Sequence, residues 1–185
     1  MAKRNKRGVI FISLGLVLLI IAGGWFLYNK QEDKIAGEKA QEILKKLEKE
    51  QKSNDSEELI TLDNEKYCGT IIIKKLSVSL PVFNSWSYEK LGTAPCRYSG
   101  SINNNDLIIA AHNYDSHFGR LEELEIGDKV VFCDAKGFEH NFEVNSKELL
   151  DGTSIEDMKK ASGLTLFTCN LSGEQRVTLR LKETK

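Results

Sequence analysis

Three textures of apolar and polar residues follow one another along the chain. From Gly8 to Tyr28 no residue is charged, and the run GVIFISLGLVLLIIAGGWFLY reaches the roughly 20 residues a helix needs to cross a bilayer. In hydrocarbon the backbone must satisfy its own hydrogen bonds, and a helix does so. Trp25, Phe26 and Tyr28 close the run like an aromatic interface belt, while Lys3, Arg4, Lys6 and Arg7 precede it. The pattern predicts a transmembrane anchor at 8–28, a cytoplasmic basic start at 1–7 and the remainder of the chain outside the cell membrane. A cleaved secretory signal is the alternative, but its apolar stretch is only about 7–15 residues. No second apolar run of comparable length follows, so a single pass with a free carboxyl end is expected.

The second texture is charge. Nineteen of the 37 residues from 30 to 66 are Asp, Glu, Lys or Arg, too many to build a separate core. Ala36, Ala40, Ile43, Leu44 and Leu47 recur at helical spacing and predict a narrow-striped helix from about 33 to 52. Ser53-Asn54-Asp55-Ser56 reads as a flexible break. Residues 29–66 are therefore expected to form a charged helical stalk or linker, with a coiled-coil partner as the other use of the stripe.

The third texture begins at residue 67 and is β-type. Candidate strands are Gly69–Ile73, Leu76–Phe83, Asp106–Ala111, Lys129–Cys133, Phe138–Val144, Leu164–Thr168 and Arg176–Leu181. Trp86 to Leu91 reads as a helical turn and Phe118 to Leu124 as a short helix. Ser154 is placed to cap a helix to about Lys160, with Asp157 completing a weak capping box. Many short strands with few helices predict a mainly β domain at 67–185, a closed or nearly closed barrel. Its 119 residues suffice for one core.

Charge and cysteine content narrow the chemistry. The net charge is −1, so no global basic field points to nucleic acid. Cys68, Cys96, Cys133 and Cys169 all lie in the exported part, where cysteines are usually paired. A catalytic thiol among four would leave an odd partner. No CxxC or Cys/His metal spacing occurs, so neither a metal nor a cofactor is expected. Asp106, Glu122, Glu123 and Glu125 are scattered acids, most simply solvated charge.

One pair stands out. Leu164 to Cys169 ends in a thiol, Asn170 to Gln175 form a polar loop, and Arg176 to Leu181 return. If the strands pair antiparallel, Cys169 faces Arg176, with Cβ atoms roughly 4.5–5.5 Å apart. Val177, Leu179 and Leu181 take one face, so Arg176 points away from the core beside the thiol. A guanidinium there favours thiolate and can hold an oxyanion. The plainer reading is a buried cysteine at a strand end, since cysteine is among the most buried residue types. Of three histidines, His112 directly follows an apolar strand and has the best placement for a rim-exposed acid or base. His117 reads as a loop residue and His140 as a semi-buried strand residue.

These segments in this order resemble sortases. TLFTC at 165–169 resembles the family's TLxTC signature, RVTLR at 176–180 its Arg-x-x-x-Arg strand, and IIAAH at 108–112 the segment carrying its histidine. FGRL at 118–121, GD at 127–128 and GTIIIKKLSVSLPV at 69–82 fit the stretches between, so the match covers about 67–182. The resemblance implies a closed barrel of seven or eight strands with short helices. It also implies a cysteine transpeptidase with Cys169 as nucleophile, His112 as acid/base and Arg176 steadying substrate and oxyanion. An LPxTG-like sorting motif would be cleaved through a thioacyl intermediate. The partners implied are sorting-signal-bearing surface proteins and a peptidoglycan-precursor amine on a Gram-positive cell. Residues 30–66 contain no proline, hence no Asp-Pro-aromatic lid of the kind in pilus-building relatives, so cell-wall anchoring is expected rather than pilin polymerisation. Ala110-Ala111 stands where many relatives have glycine before the histidine, which leaves the subclass open. A hydrolytic cysteine peptidase and an inert membrane-tethered binding module are the rival readings.

Overall fold

The computed structural model describes residues 6–51, 59–160 and 163–184. Lys3 and Arg4 of the basic start, and the break expected at Ser53-Asn54-Asp55-Ser56, lie outside the described residues. Among the described residues nine strands form: β1 (Ile60–Leu62), β2 (Glu65–Ile73), β3 (Val78–Phe83), β4 (Cys96–Ser99), β5 (Asp106–Ala110), β6 (Lys129–Asp134), β7 (Glu139–Asp151), β8 (Gly163–Cys169) and β9 (Gln175–Glu183). The strand order is β1-β2-β3-β4-β5-β8-β9-β7-β6, and β6 returns to pair with β2. Eight strands thus close a barrel, with β1 hairpinned onto the end of β2. That hairpin turns through Asp63 and Asn64, both at positive φ, the backbone a two-residue hairpin turn demands and Asn and Asp tolerate.

The pairings β3–β4 and β5–β8 are parallel, the rest antiparallel. Alternate residues of each strand fill the interior: Ile71 and Ile73, Leu80 and Val82, Leu107 and Ile109, Leu164 and Leu166, Leu179 and Leu181. Fully burying a side chain of this size is worth about 1.5–3 kcal/mol. Closure needs Gly69. It sits at φ +153°, and a Cβ there would lie 2.2 Å from the carbonyl oxygen of Cys133 on β6.

Several local expectations change. The helix foreseen over 118–124 shrinks to a 3-10 turn at Leu121–Glu123, tied by Leu124 N to the Leu121 carbonyl. Strand β7 runs on to Asp151 because β9 pairs with it along its second half, past a bulge between Val144 and Ser146. The helical turn after Trp86 is α2 (Tyr88–Leu91), capped by Ser87 Oγ accepting from Lys90 N at 3.1 Å. Helix α3 (Ile155–Lys159) starts after Ser154, but the Ser154 side chain makes no capping bond, so no capping box forms.

One helix, α1 (Lys6–Gln51), carries both the apolar run and the charged stripe, and the chain divides into units 1–35 and 36–185. In the first unit, apolar side chains from Val9 to Tyr28 are exposed, on a helix long and apolar enough to cross a membrane. In the second unit, Ala36, Ala40, Leu44 and Leu47 are buried, and Ala40 and Leu47 belong to the barrel's own core cluster. Gln41 Nε2 donates to the Ser79 carbonyl of β3 at 2.9 Å. Between Ala36 and Leu47, the segment expected to be a charged stalk or linker packs onto the barrel. Its stripe is too apolar to stay wet and its alanines let the helix lie close.

Candidate active site

Sequence alternation decides which side chains leave the core at the ends of β5, β8 and β9. On β5, Leu107, Ile109 and Ala111 point in, so Ile108 and Ala110 point out, where they cluster with Phe167 of β8 and Met158 of α3. On β8, Leu164 and Leu166 are interior, which sends Phe167 and Cys169 outward. On β9, Val177, Leu179 and Leu181 are interior, which sends Arg176 and Arg180 outward.

Cross-strand register then places Cys169 and Arg176 together. Cys169 pairs with Arg176 across the antiparallel β8–β9 ladder, as the loop length predicted. Ala110 pairs with Phe167 across the parallel β5–β8 ladder, and Ala111 N donates to the Phe167 carbonyl at 3.2 Å. His112 follows Ala111 directly, just beyond the end of this ladder. The two strand ends are tied by the buried hydroxyl of Thr168, which donates to the Ala111 carbonyl at 3.0 Å. Cys169 and Arg176 thus sit opposite each other at neighbouring strand ends, and the end of β5 that leads into His112 is tied to the residue before Cys169.

The row of paired residues Cys169 and Arg176 borders a groove of about 250 Å³. Ala110, Ala111 and Phe167 line it together with Ile155 and Met158 of the α3 region, and Cys169, Arg176, Gly152 and Asp151 line it too. Trp86, Tyr88, Leu91 and Tyr98 complete it; Tyr98 meets Phe167 edge-on at 5.3 Å and Trp86 at 6.2 Å. Of its lining residues only Asp151 and Arg176 are charged. Trp86, Tyr88, Tyr98 and Met158 were not singled out by sequence. The aromatic density of Ser85-Trp86-Ser87-Tyr88 was the one available signal.

The Arg176 guanidinium rests on its own hairpin, Nη1 donating to the Gly173 carbonyl at 2.9 Å and to the Gln175 carbonyl at 3.2 Å. Arg180 is engaged differently. It donates to the carbonyls of Met158 (2.8 Å) and Asp157 (2.5 Å), to Thr165 Oγ1 (3.2 Å) and to Glu148 (3.3 Å), pinning α3 over β8.

The histidines separate in space. The His112 ring stacks on Tyr114 at 3.9 Å and 17°. His117, expected as a simple loop residue, is fully buried. His140 lies between Asp134 (3.2 Å) and Glu183 (3.4 Å), on β7, away from the row. The cysteines separate too, and all four are thiols. Burial pushes the Cys68 thiol up to about 12 and the Cys96 thiol up to about 11, so neither supplies thiolate near neutrality. A larger cavity, about 430 Å³, is lined by Cys68, Arg97, Asp134 and His140 among others, but holds none of His112, Cys169 and Arg176.

A sortase-domain model matches residues 71–183. Among solved structures, the chain is similar to sortase C from Clostridium perfringens SM101, with 18% identity and a TM-score of 0.59 over 85% of this chain and 96% of that one. It is similar to sortase A from Corynebacterium diphtheriae, with 16% identity and a TM-score of 0.60 over 65% and 62%. For sortase C-1 from Streptococcus pneumoniae the values are 24% and 0.57 over 63% and 66%. No curated protein sequence matches the chain. With a sortase-domain model spanning more than half of its residues and the same barrel in those structures, the chain belongs to the sortase family.

Proposed function

We propose that this sortase is a single-pass membrane enzyme with its amino terminus in the cytoplasm. Its barrel, on the outer face, cleaves an LPxTG-like sorting motif and joins the protein to a cell-wall amine. The observation that supports this reading is the pairing of Cys169 with Arg176 beside an apolar groove, with Thr168 tying that strand end to Ala111, the residue before His112. Cys169 Sγ, as thiolate, attacks the threonyl carbonyl carbon. Arg176 leaves the Gly173 and Gln175 carbonyls and donates to the oxygen as charge develops there. Collapse breaks the C–N bond, and His112 imidazolium gives its proton to the departing amine. The resulting thioester divides one hard step into two. The acceptor amine then attacks the thioester carbonyl, neutral His112 takes its proton, and the C–S bond breaks to restore thiolate.

We read the acceptor as a peptidoglycan-precursor amine and the outcome as anchoring rather than pilin polymerisation. The lack of proline, hence of an Asp-Pro-aromatic lid, in 30–66 supports this. The test is a peptide-library cleavage assay on the full chain in detergent micelles, with and without an amine acceptor, read by mass spectrometry. Ligated product that needs the acceptor is expected. Hydrolysis alone at saturating acceptor would instead assign a peptidase, and failure of a thiol-reactive peptide analogue to label Cys169 would assign an inert binding module.

A further inference from the structure

Glycine in the buried stripe of α1 brings the helix backbone against the loop that follows β5. A Cβ built on Gly37 would lie 2.9 Å from Ser116 Cβ and 3.3 Å from its Oγ. Ala36 and Ala40, on either side, are buried. This helical turn therefore rests on Ser116 at a distance that leaves no room for a side chain at 37.

Ser116 belongs to a loop with little freedom of its own. The next residue, His117, is fully buried, and its N–H donates to the Tyr114 carbonyl at 2.9 Å. Gly119 N donates to the same carbonyl at 2.8 Å, and Phe118 N donates to the His112 carbonyl at 3.2 Å. The Tyr114 ring lies 5.5 Å from the His117 ring and stacks on His112 at 3.9 Å. Packed interiors transmit displacement rather than absorb it. A push on Ser116 thus reaches His112 through Tyr114, by ring contact and by backbone.

Resting on His112 as the acid/base proposed above, we infer that Gly37 is a positioning residue. By letting α1 seat against Ser116 it fixes the 113–118 loop, and with it the His112 imidazole relative to Cys169. The helix leading into the barrel is then part of the catalytic support, not only a tether. The competing account is that Gly37 merely permits packing, which affects stability and leaves the histidine where it is.

The experiment uses the full chain in detergent micelles with isotope-labelled histidine, the His112 ring signal being assigned by its loss in His112→Ala. Gly37→Ala introduces the Cβ that meets Ser116, Ser116→Gly removes the atoms it meets, and Lys39→Ala, on the exposed face of the same helix, is the control. Gly37→Ala is expected to lower kcat about tenfold, since misplacement by a fraction of an ångström at the reacting groups is costly. KM should stay within about twofold, because the groove is untouched. The His112 ring signal should move in Gly37→Ala. Gly37→Ala combined with Ser116→Gly should return both kcat and the signal to the Ser116→Gly values, while Lys39→Ala changes neither. An unmoved His112 signal in Gly37→Ala overturns the inference, as does a double variant no better than Gly37→Ala. The two levels separate cleanly. Full turnover in His112→Ala defeats the acid/base reading whatever the signal does, whereas a dead His112→Ala with an unmoved signal in Gly37→Ala defeats the positioning role alone.

Discussion

Leu47→Ala isolates the claim that the second half of α1 is part of the barrel. Leu47 is 2% exposed and shares a core cluster with Ile71, Leu80 and Leu107. Truncating a buried leucine costs the transfer of the lost carbons plus the cavity left behind, about 2–5 kcal/mol. For a unit the size of residues 36–185, each kcal/mol lowers Tm by about 2–4 °C. A midrange cost of about 3 kcal/mol thus becomes a drop of roughly 6–12 °C. Lys45→Ala, on the exposed side of the helix, should stay within about 0.5 kcal/mol of wild type. The assay is thermal melting of the full chain in micelles, followed by near-ultraviolet circular dichroism, which reports the packing of barrel aromatics. A Leu47→Ala melt within about 2 °C of wild type would show that the stripe is a free stalk. The same logic sets fragment boundaries. A fragment starting at residue 31 should be soluble and active, whereas one starting at 59 lacks Ala36, Ala40, Leu44 and Leu47 and should aggregate or melt far lower.

Further outcomes concern the cysteines, the histidines and the arginines. Cys169→Ala should abolish cleavage and transfer, and a trapped acyl adduct should map to Cys169 alone. Because burial raises the Cys68 and Cys96 thiols to about 12 and about 11, iodoacetamide near pH 8 should label neither in the folded chain. Labelling of both there would refute that assignment. His112→Ala should abolish turnover with the melt unchanged, His140→Ala should leave most activity, and His117→Ala should act through stability, because its ring is fully buried; melts and rates measured together distinguish the three. Arg176→Lys should be nearly as damaging to kcat as Arg176→Ala, since lysine lacks the planar fork of donors. Arg180→Lys should instead raise KM, by loosening the grip on the Asp157 and Met158 carbonyls. Full kcat in Arg176→Lys would reduce that residue's role to charge.

Local patterns were readable and long-range ones were not. The antiparallel pairing of Cys169 with Arg176 could be foreseen because a short polar loop joins two alternating strands, and loop length sets register. The outward placement of Arg176 followed from Val177, Leu179 and Leu181 claiming the core face. The parallel neighbour of β8 was invisible, because β5 lies more than fifty residues earlier and no local feature marks a parallel partner. Strand β4 was missed because Cys96–Ser99 is four residues long and pairs with β3 through one residue alone. Strand β1 was hidden inside a charged stretch. His117 looked like solvent-exposed loop because Asn113, Asp115 and Ser116 surround it. Its burial comes from tertiary packing of the loop that its neighbours do not report.

The parallel β5–β8 pairing has a consequence for when the thiol becomes reactive. The hairpin that joins Cys169 to Arg176 closes over a few residues and can form early, since short loops lose little entropy on closure. The hydroxyl of Thr168 reaches Ala111 across 57 positions, and such distant pairings are slow to form. The β8–β9 hairpin is therefore expected to set Arg176 opposite Cys169 before the strand end that leads into His112 arrives. With the roles proposed above, a partly folded chain carries the proposed nucleophile without the group proposed to return a proton to the leaving amine. On that reading activity begins only when the barrel has closed, and its timing follows the order of strand pairing.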